Sequence, residues 1–315
     1  MNRTESLKGI VYAILSSSTF GFAPFFTLLL IDGGLSSFEV LFYRWGVAAI
    51  ALACTGIAAK QSFRIGWQNF ATVCMLGIAR AMTSLSLVYA YQNISTGVAS
   101  SIHFLYPLAV ACGMALFFRE RISWKVIAAI IASLAGAICL SSDDLSSGGE
   151  NAVAGITAAC MSVLFYGTYI IGVRKTRAAS MDSAVLTFYV TAFGGVLFGL
   201  ASLAFNGAIQ IVSGWKMWIC GLGIALPPAA LSNITLVQAI KRIGPTMTSL
   251  FGAMEPLTAM VVGVLAFGER FTWLTAVGMV LVIVAVSSVV LNSAAAERAS
   301  AGKQDDSNRA LRHVN

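Results

Sequence analysis

Three ionisable side chains stand deep inside apolar stretches of the chain: Arg44, Arg80 and Glu255, with Glu39 at the entrance of the stretch that holds Arg44. A charge away from water costs about a few kcal/mol or more unless it faces a partner or a polar cavity. Such residues therefore either pair permanently or handle a ligand. As a fixed cation, Arg80 is suited to a carboxylate or phosphate; the alternative is a permanent pair with Glu255. Glu255, directly before Pro256, either binds a cationic group or exchanges a proton, or pairs structurally with Arg44 or Arg80. Proline removes a donor and frees a carbonyl one turn earlier, which exposes polar backbone. Arg44 either reaches a cavity, snorkels to the surface or pairs with Glu39. His103, one turn before Tyr106-Pro107, is a candidate proton relay, with a satisfied polar residue as the alternative. Tyr89, Tyr91, Tyr106, Tyr166, Tyr169 and Gln238 offer hydroxyl and amide groups to a site, or simply pack. Pro227-Pro228 interrupts the helical ladder and is predicted to unwind a turn beside a binding site, a simple kink being the alternative.

The elements that must position these residues are long and apolar. Of the 315 residues, 58% are hydrophobic and 10% charged, and the mean hydropathy is +0.83. Soluble domains carry about 25% charged residues, so this chain cannot cover a water-facing surface. Ten apolar runs reach the length a helix needs to cross a bilayer: 8–31, 36–58, 67–91, 96–118, 123–141, 151–173, 182–205, 214–240, 244–267 and 271–292. Their apolar character is continuous, not alternating, which predicts helices and not barrel strands. The first run is long enough to remain as an uncleaved span.

A net charge of +7 and a pI near 9.2 raise the question of nucleic acid, but placement argues for a bilayer. With a cytoplasmic N-terminus, Arg3, Lys8, Lys60, Arg64, Arg119, Arg121, Lys125, Arg174, Lys175, Arg177, Lys241 and Arg242 fall inside. Lys216, Arg270 and the acidic Asp143-Asp144 fall outside. This is the positive-inside pattern of a multi-pass protein of the cytoplasmic membrane with both termini cytoplasmic. The six cysteines lie in apolar runs without metal-site spacing, which predicts neither disulfides nor zinc. No Walker A run, Gly-rich dinucleotide turn or HExxH motif occurs, so no cofactor is implied and ATP-driven transport by this chain alone is disfavoured. Trp124 and Trp273 read as interfacial anchors, and Gly195 with Gly199 as a close helix contact.

The chain repeats itself. Leu85 to Trp124 returns as Ile234 to Trp273 with a constant offset of 149, including Glu120-Arg121 against Glu269-Arg270. Upstream, Gly9, Gly21 and Phe42-Tyr43 match Gly155, Gly167 and Phe188-Tyr189 with an offset of 146. The change implies three extra residues, expected near the connection after the seventh span. Five spans per half is odd, so the second half enters the membrane upside down. The expected fold is an all-α integral membrane protein of ten transmembrane helices as two inverted five-helix repeats. The halves are 1–145 and 146–292, and 293–315 reads as a disordered cytoplasmic tail. Such duplications place a substrate site near the midplane between halves. The copies disagree at Arg44 against Val190, Arg80 against Ala229, Tyr106 against Glu255 and His103 against Gly252. A charge needed by the fold alone would be expected in both copies, so these mismatches favour a site.

Met254-Glu255-Pro256-Leu257, then Gly268-Glu269-Arg270 and Trp273, together with Tyr43-Arg44-Trp45, resembles the EamA-type permeases of the drug/metabolite transporter superfamily. The resemblance covers about residues 8–292. It implies an alternating-access carrier, often an exporter, of amino acids or other small metabolites. The family's Glu-Pro is present in one half only, since the other carries Tyr106-Pro107. The partners implied are a small-molecule substrate and the lipid bilayer; the sequence leaves a homodimer open. A membrane-embedded enzyme acting on a lipid or prenyl substrate is the alternative. Its acidic cluster would have to be Asp143-Asp144, which reads as a solvated turn.

Overall fold

A computed structural model of the protein describes residues 3–118, 151–236, 251–252 and 254–285, with further single or paired positions within 124–139, 238–242 and 287–288. The regular elements among them are helical. They are α1 (Arg3–Phe20), α2 (Ala23–Asp32), α3 (Ser37–Ala58), α4 (Trp67–Asn93), α5 (Thr96–His103), α6 (Tyr106–Phe118), α7 (Ala152–Lys175), α8 (Ser183–Asn206), α9 (Trp215–Ala225), α10 (Met254–Phe267) and α11 (Trp273–Ala285). A short 3-10 turn, Arg177–Ser180, joins α7 to α8, and a π turn, Leu226–Leu231, continues α9.

Seven stretches are long and apolar enough to cross a membrane: Leu7–Asp32, Ser37–Ala58, Trp67–Asn93, Thr96–Phe118, Ala152–Val173, Ala184–Asn206 and Trp215–Leu236. Of the ten expected spans, the ninth and tenth are described only as the shorter helices α10 and α11. Most of the fifth, 123–141, lies outside the described residues, as do Arg119-Glu120-Arg121, Asp143-Asp144 and the tail 293–315. Helix is forced here because a bilayer offers no partners for free backbone groups.

Three spans are broken where proline dictates. Pro24 sits in the first turn of α2, and α1 stops at Phe20 before it. Pro107 is the second residue of α6, after a turn at Phe104-Leu105. Likewise Pro256 is the third residue of α10, after a turn at Gly252. A proline has no N–H to donate and clashes with helix upstream, but is tolerated in a first turn.

Pro227-Pro228 behaves otherwise. The helix is not unwound there, as the sequence suggested; it widens into the π turn and carries on through Leu236. Bonds reaching five residues back, such as Ser232 N–H to Pro227 O, bypass the missing donors. This turn also relocates the three extra residues of the second repeat. The connections 59–66 and 207–214 are equally long, and α8 has 24 residues against 22 in α3. Trp67 and Trp215 both open their helices, 148 apart, whereas Leu85 and Ile234 are 149 apart. Two residues therefore lengthen α8 and the third is absorbed by the π turn, because a π turn is a one-residue insertion in an α-helix.

Packing pairs residues at repeat-related positions. α3 and α8 lie antiparallel with extensive contact. A Cβ on Gly195 would stand 3.2 Å from the Gly46 backbone, which is the close approach that small residues permit. At one end of this pair the Tyr43 hydroxyl donates to Gln210 O (2.7 Å). At the other end the Tyr189 hydroxyl, 146 residues on, donates to Phe63 O (2.5 Å). A Cβ on Gly21 would meet Thr258 Cβ at 2.6 Å, while one on Gly167 would meet Ala109 Cβ at 3.4 Å. Gly21 and Gly167 are 146 apart, and Ala109 and Thr258 are 149 apart.

Two carboxylates clamp segments of the two repeats. Gly268, at φ 65°, ends α10, and Glu269 N–H reaches back to Gly263 O (3.2 Å), the wrap that closes a helix C-terminus. Glu269 is thereby aimed at the start of α5. Its Oε1 accepts from Thr96 N–H (2.7 Å) and Thr96 Oγ1 (2.8 Å). Glu39 completes a capping box with Ser36 and accepts from Gln210 N–H at 2.7 Å. Replacing Glu269 by alanine leaves α5 without its cap and is expected to destabilise the fold by about 1–3 kcal/mol. Thermal melts in detergent should show a lowered midpoint; an unchanged midpoint would refute the clamp.

Candidate functional site

Two adjoining cavities sit among the helix breaks. The first is lined by Arg44, Trp45, Arg80, Tyr169, Thr187, Val190, Thr191, Ala229 and Asn233. The second is lined by residues including Ser16, Ser17, Phe20, Arg80, Tyr166, Ser232, Asn233 and Glu255. Arg80 and Asn233 line both.

The repeat gives these linings an order. Arg44 with Val190, and Arg80 with Ala229, line the first cavity. Tyr106 with Glu255, His103 with Gly252, and Phe20 with Tyr166 line the second. Both members of each mismatched pair thus face one space. Phe20 and Tyr166, 146 apart, also flank the Arg80 guanidinium, with ring centroids 5.7 and 4.7 Å from its carbon.

Arg80 is only 8% exposed and its Nη1 has no hydrogen-bond partner. Tyr169 and Trp45 bring two further rings to 5.8 and 6.0 Å of it. Aromatic faces attract a guanidinium above its plane and leave its in-plane donors unused. Glu255, second residue of α10, is 9% exposed, and its Oε1 is likewise buried without a partner. The α1–α2 break lies against it, since a Cβ on Gly21 would stand 2.7 Å from Glu255 O. No ion pair joins Glu255 to Arg44 or Arg80, although both arginines act on it electrostatically. A permanent buried salt bridge is therefore not what these three charges make.

Arg44 is 5% exposed and does not snorkel. It is not paired with Glu39, whose oxygens are taken by Ser36 and Gln210. His103 is bonded through Nδ1 to Ser162 Oγ (2.9 Å) and so is a satisfied polar residue on the cavity wall.

Other candidates lie elsewhere. Tyr89 is 46% exposed and lines neither cavity. Gln238 also lines neither, and its side chain accepts from Arg242. Pro228 is buried and Pro227 half-buried, and neither faces the cavities. They act by shaping the π turn, after which Asn233 Nδ2 donates to Ala229 O (2.6 Å).

The residues that sequence reasoning missed are small and polar. Ser16 Oγ donates to Ser232 O (2.8 Å) while Ser232 Oγ donates to Ser16 O (3.0 Å), a reciprocal bond between α1 and the segment after the π turn. Thr187, Thr191 and Asn233 were also unremarked. The repeat held one signal for them, since Ser16 matches Ser162 and Phe20 matches Tyr166 at the 146 offset.

Comparison with known proteins decides what kind of molecule carries this site. The model of the EamA-like transporter family matches residues 7–142 and again 153–291. The chain belongs to the EamA-like transporter family. A WAT1-related protein of Arabidopsis thaliana is 23% identical, over 93% of this chain and 87% of its own length. An uncharacterized transporter of Archaeoglobus fulgidus is 24% identical over 81% and 89%. The Bacillus subtilis transporter YxxF is 21% identical over 88% of each. A crystal structure with 19% identity superposes at a TM-score of 0.66, covering 94% of this chain and 100% of that one; it speaks for the fold alone. This EamA-like protein is a multi-pass membrane transporter. Within it, Arg80 Nη1 and Glu255 Oε1 are buried without a hydrogen-bond partner.

Proposed function

We propose that the protein is a secondary transporter that exports a small polar metabolite, an amino acid or a related compound, by alternating access. The observation that carries this reading is the pair of buried charges, Arg80 and Glu255, facing one cavity lining with an unpartnered atom each. A metabolite carrying both a carboxylate and an ammonium offers each charge a partner.

The repeat supports the mechanism. Two family matches of similar length, 7–142 and 153–291, support a chain of two related halves, which we read as five-helix units over 1–145 and 146–292, the second inverted. The Tyr43–Gln210 and Tyr189–Phe63 bonds sit at opposite ends of the α3–α8 pair, as expected of two ends that open in turn. The positive-inside charge pattern supports a cytoplasmic membrane location with both termini in the cytoplasm.

Flux tests this reading. Purified protein in proteoliposomes with an imposed pH gradient should move at least one member of a panel of radiolabelled amino acids and small organic acids. Cells overproducing it should resist the toxic analogue of that solute. Absence of flux across the panel would overturn the proposal.

A further inference from the structure

We propose that the transported solute is a small organic anion carrying one net negative charge, and that Arg44 and Arg80 together hold its oxyanion end. This inference rests on the transport reading and narrows its substrate class.

The argument begins with charge. Among the described residues the ionic side chains that line the two cavities are Arg44, Arg80 and Glu255, with no ion pair between them. Two cations against one anion leave an excess of one positive charge in a low-dielectric interior, where an uncompensated charge is costly. A neutral zwitterion would leave that excess in place. A solute of net charge −1 removes it.

Donor placement points to the same end of the site. Arg44 and Arg80 both border the first cavity, with guanidinium carbons 5.2 and 5.7 Å from the one Phe20 ring. Arg80 Nη1 and Trp45 Nε1 are buried there without partners, and among the described residues no group accepts a hydrogen bond from Arg44. The first cavity thus presents unspent donors and no carboxylate. Glu255 faces only the second cavity. The rings beside the arginines offer no carboxylate or carbonyl, and a guanidinium fork with unspent donors suits a carboxylate or phosphate. A solute with its oxyanion between the arginines and an ammonium at Glu255 spans the two cavities through Arg80, which borders both.

Solutes of graded charge test this directly. The purified protein in detergent is melted with glutamate, O-phosphoethanolamine, glutamine, alanine or lysine at equal concentration and ionic strength. Glutamate and O-phosphoethanolamine, each of net charge about −1, distinguish a carboxylate from a phosphate as the oxyanion. At least one of these two anions should raise the midpoint by about 2 °C or more, with glutamine, alanine and lysine well below it. Arg44→Gln should erase the preference of the anion over glutamine, and Arg44→Lys should restore part of it. Glutamine stabilising as well as glutamate, an anion preference that survives Arg44→Gln, or no response to either anion would each overturn the inference. Flux of neutral solutes alone through proteoliposomes would overturn the anion selectivity and leave the transport reading standing. Absence of all flux would remove the transport reading itself.

Discussion

Proteoliposomes carrying Arg80→Gln are expected to transport at least about 30-fold more slowly than wild type at subsaturating solute. The figure follows from the loss of a buried, charge-assisted bond, worth about 2–5 kcal/mol when one partner is removed. Glutamine keeps length and some hydrogen bonding but loses the cation and the fork. Folding should survive, because Arg80 has no ion pair to break. Removing a buried unpaired charge offsets the lost contacts with Tyr166 and Phe20. Initial rates and a thermal melt on the same preparation separate the two effects. Near-normal rates in a folded variant would remove Arg80 from the transport path.

Glu255→Gln is expected to abolish coupling to the proton gradient while leaving the protein at least as stable as wild type. In the exchange reading the carboxylate takes up and releases one proton per cycle, and an amide cannot. Wild-type rates should depend on pH, whereas the variant's should be flat and no longer accelerated by an imposed gradient. A structural carboxylate gives the opposite signature: breaking a buried pair costs about 3–5 kcal/mol, so the melt would fall sharply while the pH profile kept its shape. Since Glu255 Oε1 has no partner in the fold, the first outcome is the one expected.

The spans were legible because a bilayer imposes long apolar runs on any helix that crosses it. A proline effect was legible at Pro256, whereas the breaks before Pro24 and Pro107 were not, since hydropathy runs on unbroken through both. The mismatched pairs were informative for a different reason. Subtracting one repeat from the other removes what both copies need for folding, and Arg44, Arg80, Tyr106, His103 and Glu255 remain; all of them line the two cavities. The direction each side chain faces was not legible. Tyr89 and Tyr91 are two residues apart, roughly 200° around a helix; Tyr91 is 5% exposed and Tyr89 46%. Lipid is as apolar as a helix interface, so hydropathy does not tell these faces apart. Ser16, Ser232 and Asn233 escaped notice because small polar residues in membrane helices commonly bond backbone, as Thr191 does to Thr187 O. Their position beside a break, not their type, makes them part of the site. The outcome at Pro227-Pro228 also escaped, since a sequence records the missing donors but not which carbonyls accept in their stead.

That π turn has a consequence for how two copies of one unit came to differ. An inserted residue that a π turn absorbs widens the helix locally and leaves the helix beyond it facing as before. In the first copy, without the insertion, Thr83, Ser84 and Leu87 border neither cavity; in the second, their counterparts Ser232, Asn233 and Leu236 all border the second one. The polar residues after the turn thus border a cavity in one copy only, while the packing around Gly21 and Gly167 is shared by both. Duplicated packing encloses an interior whose two sides differ, so the two ends of a bound solute would meet different chemistry.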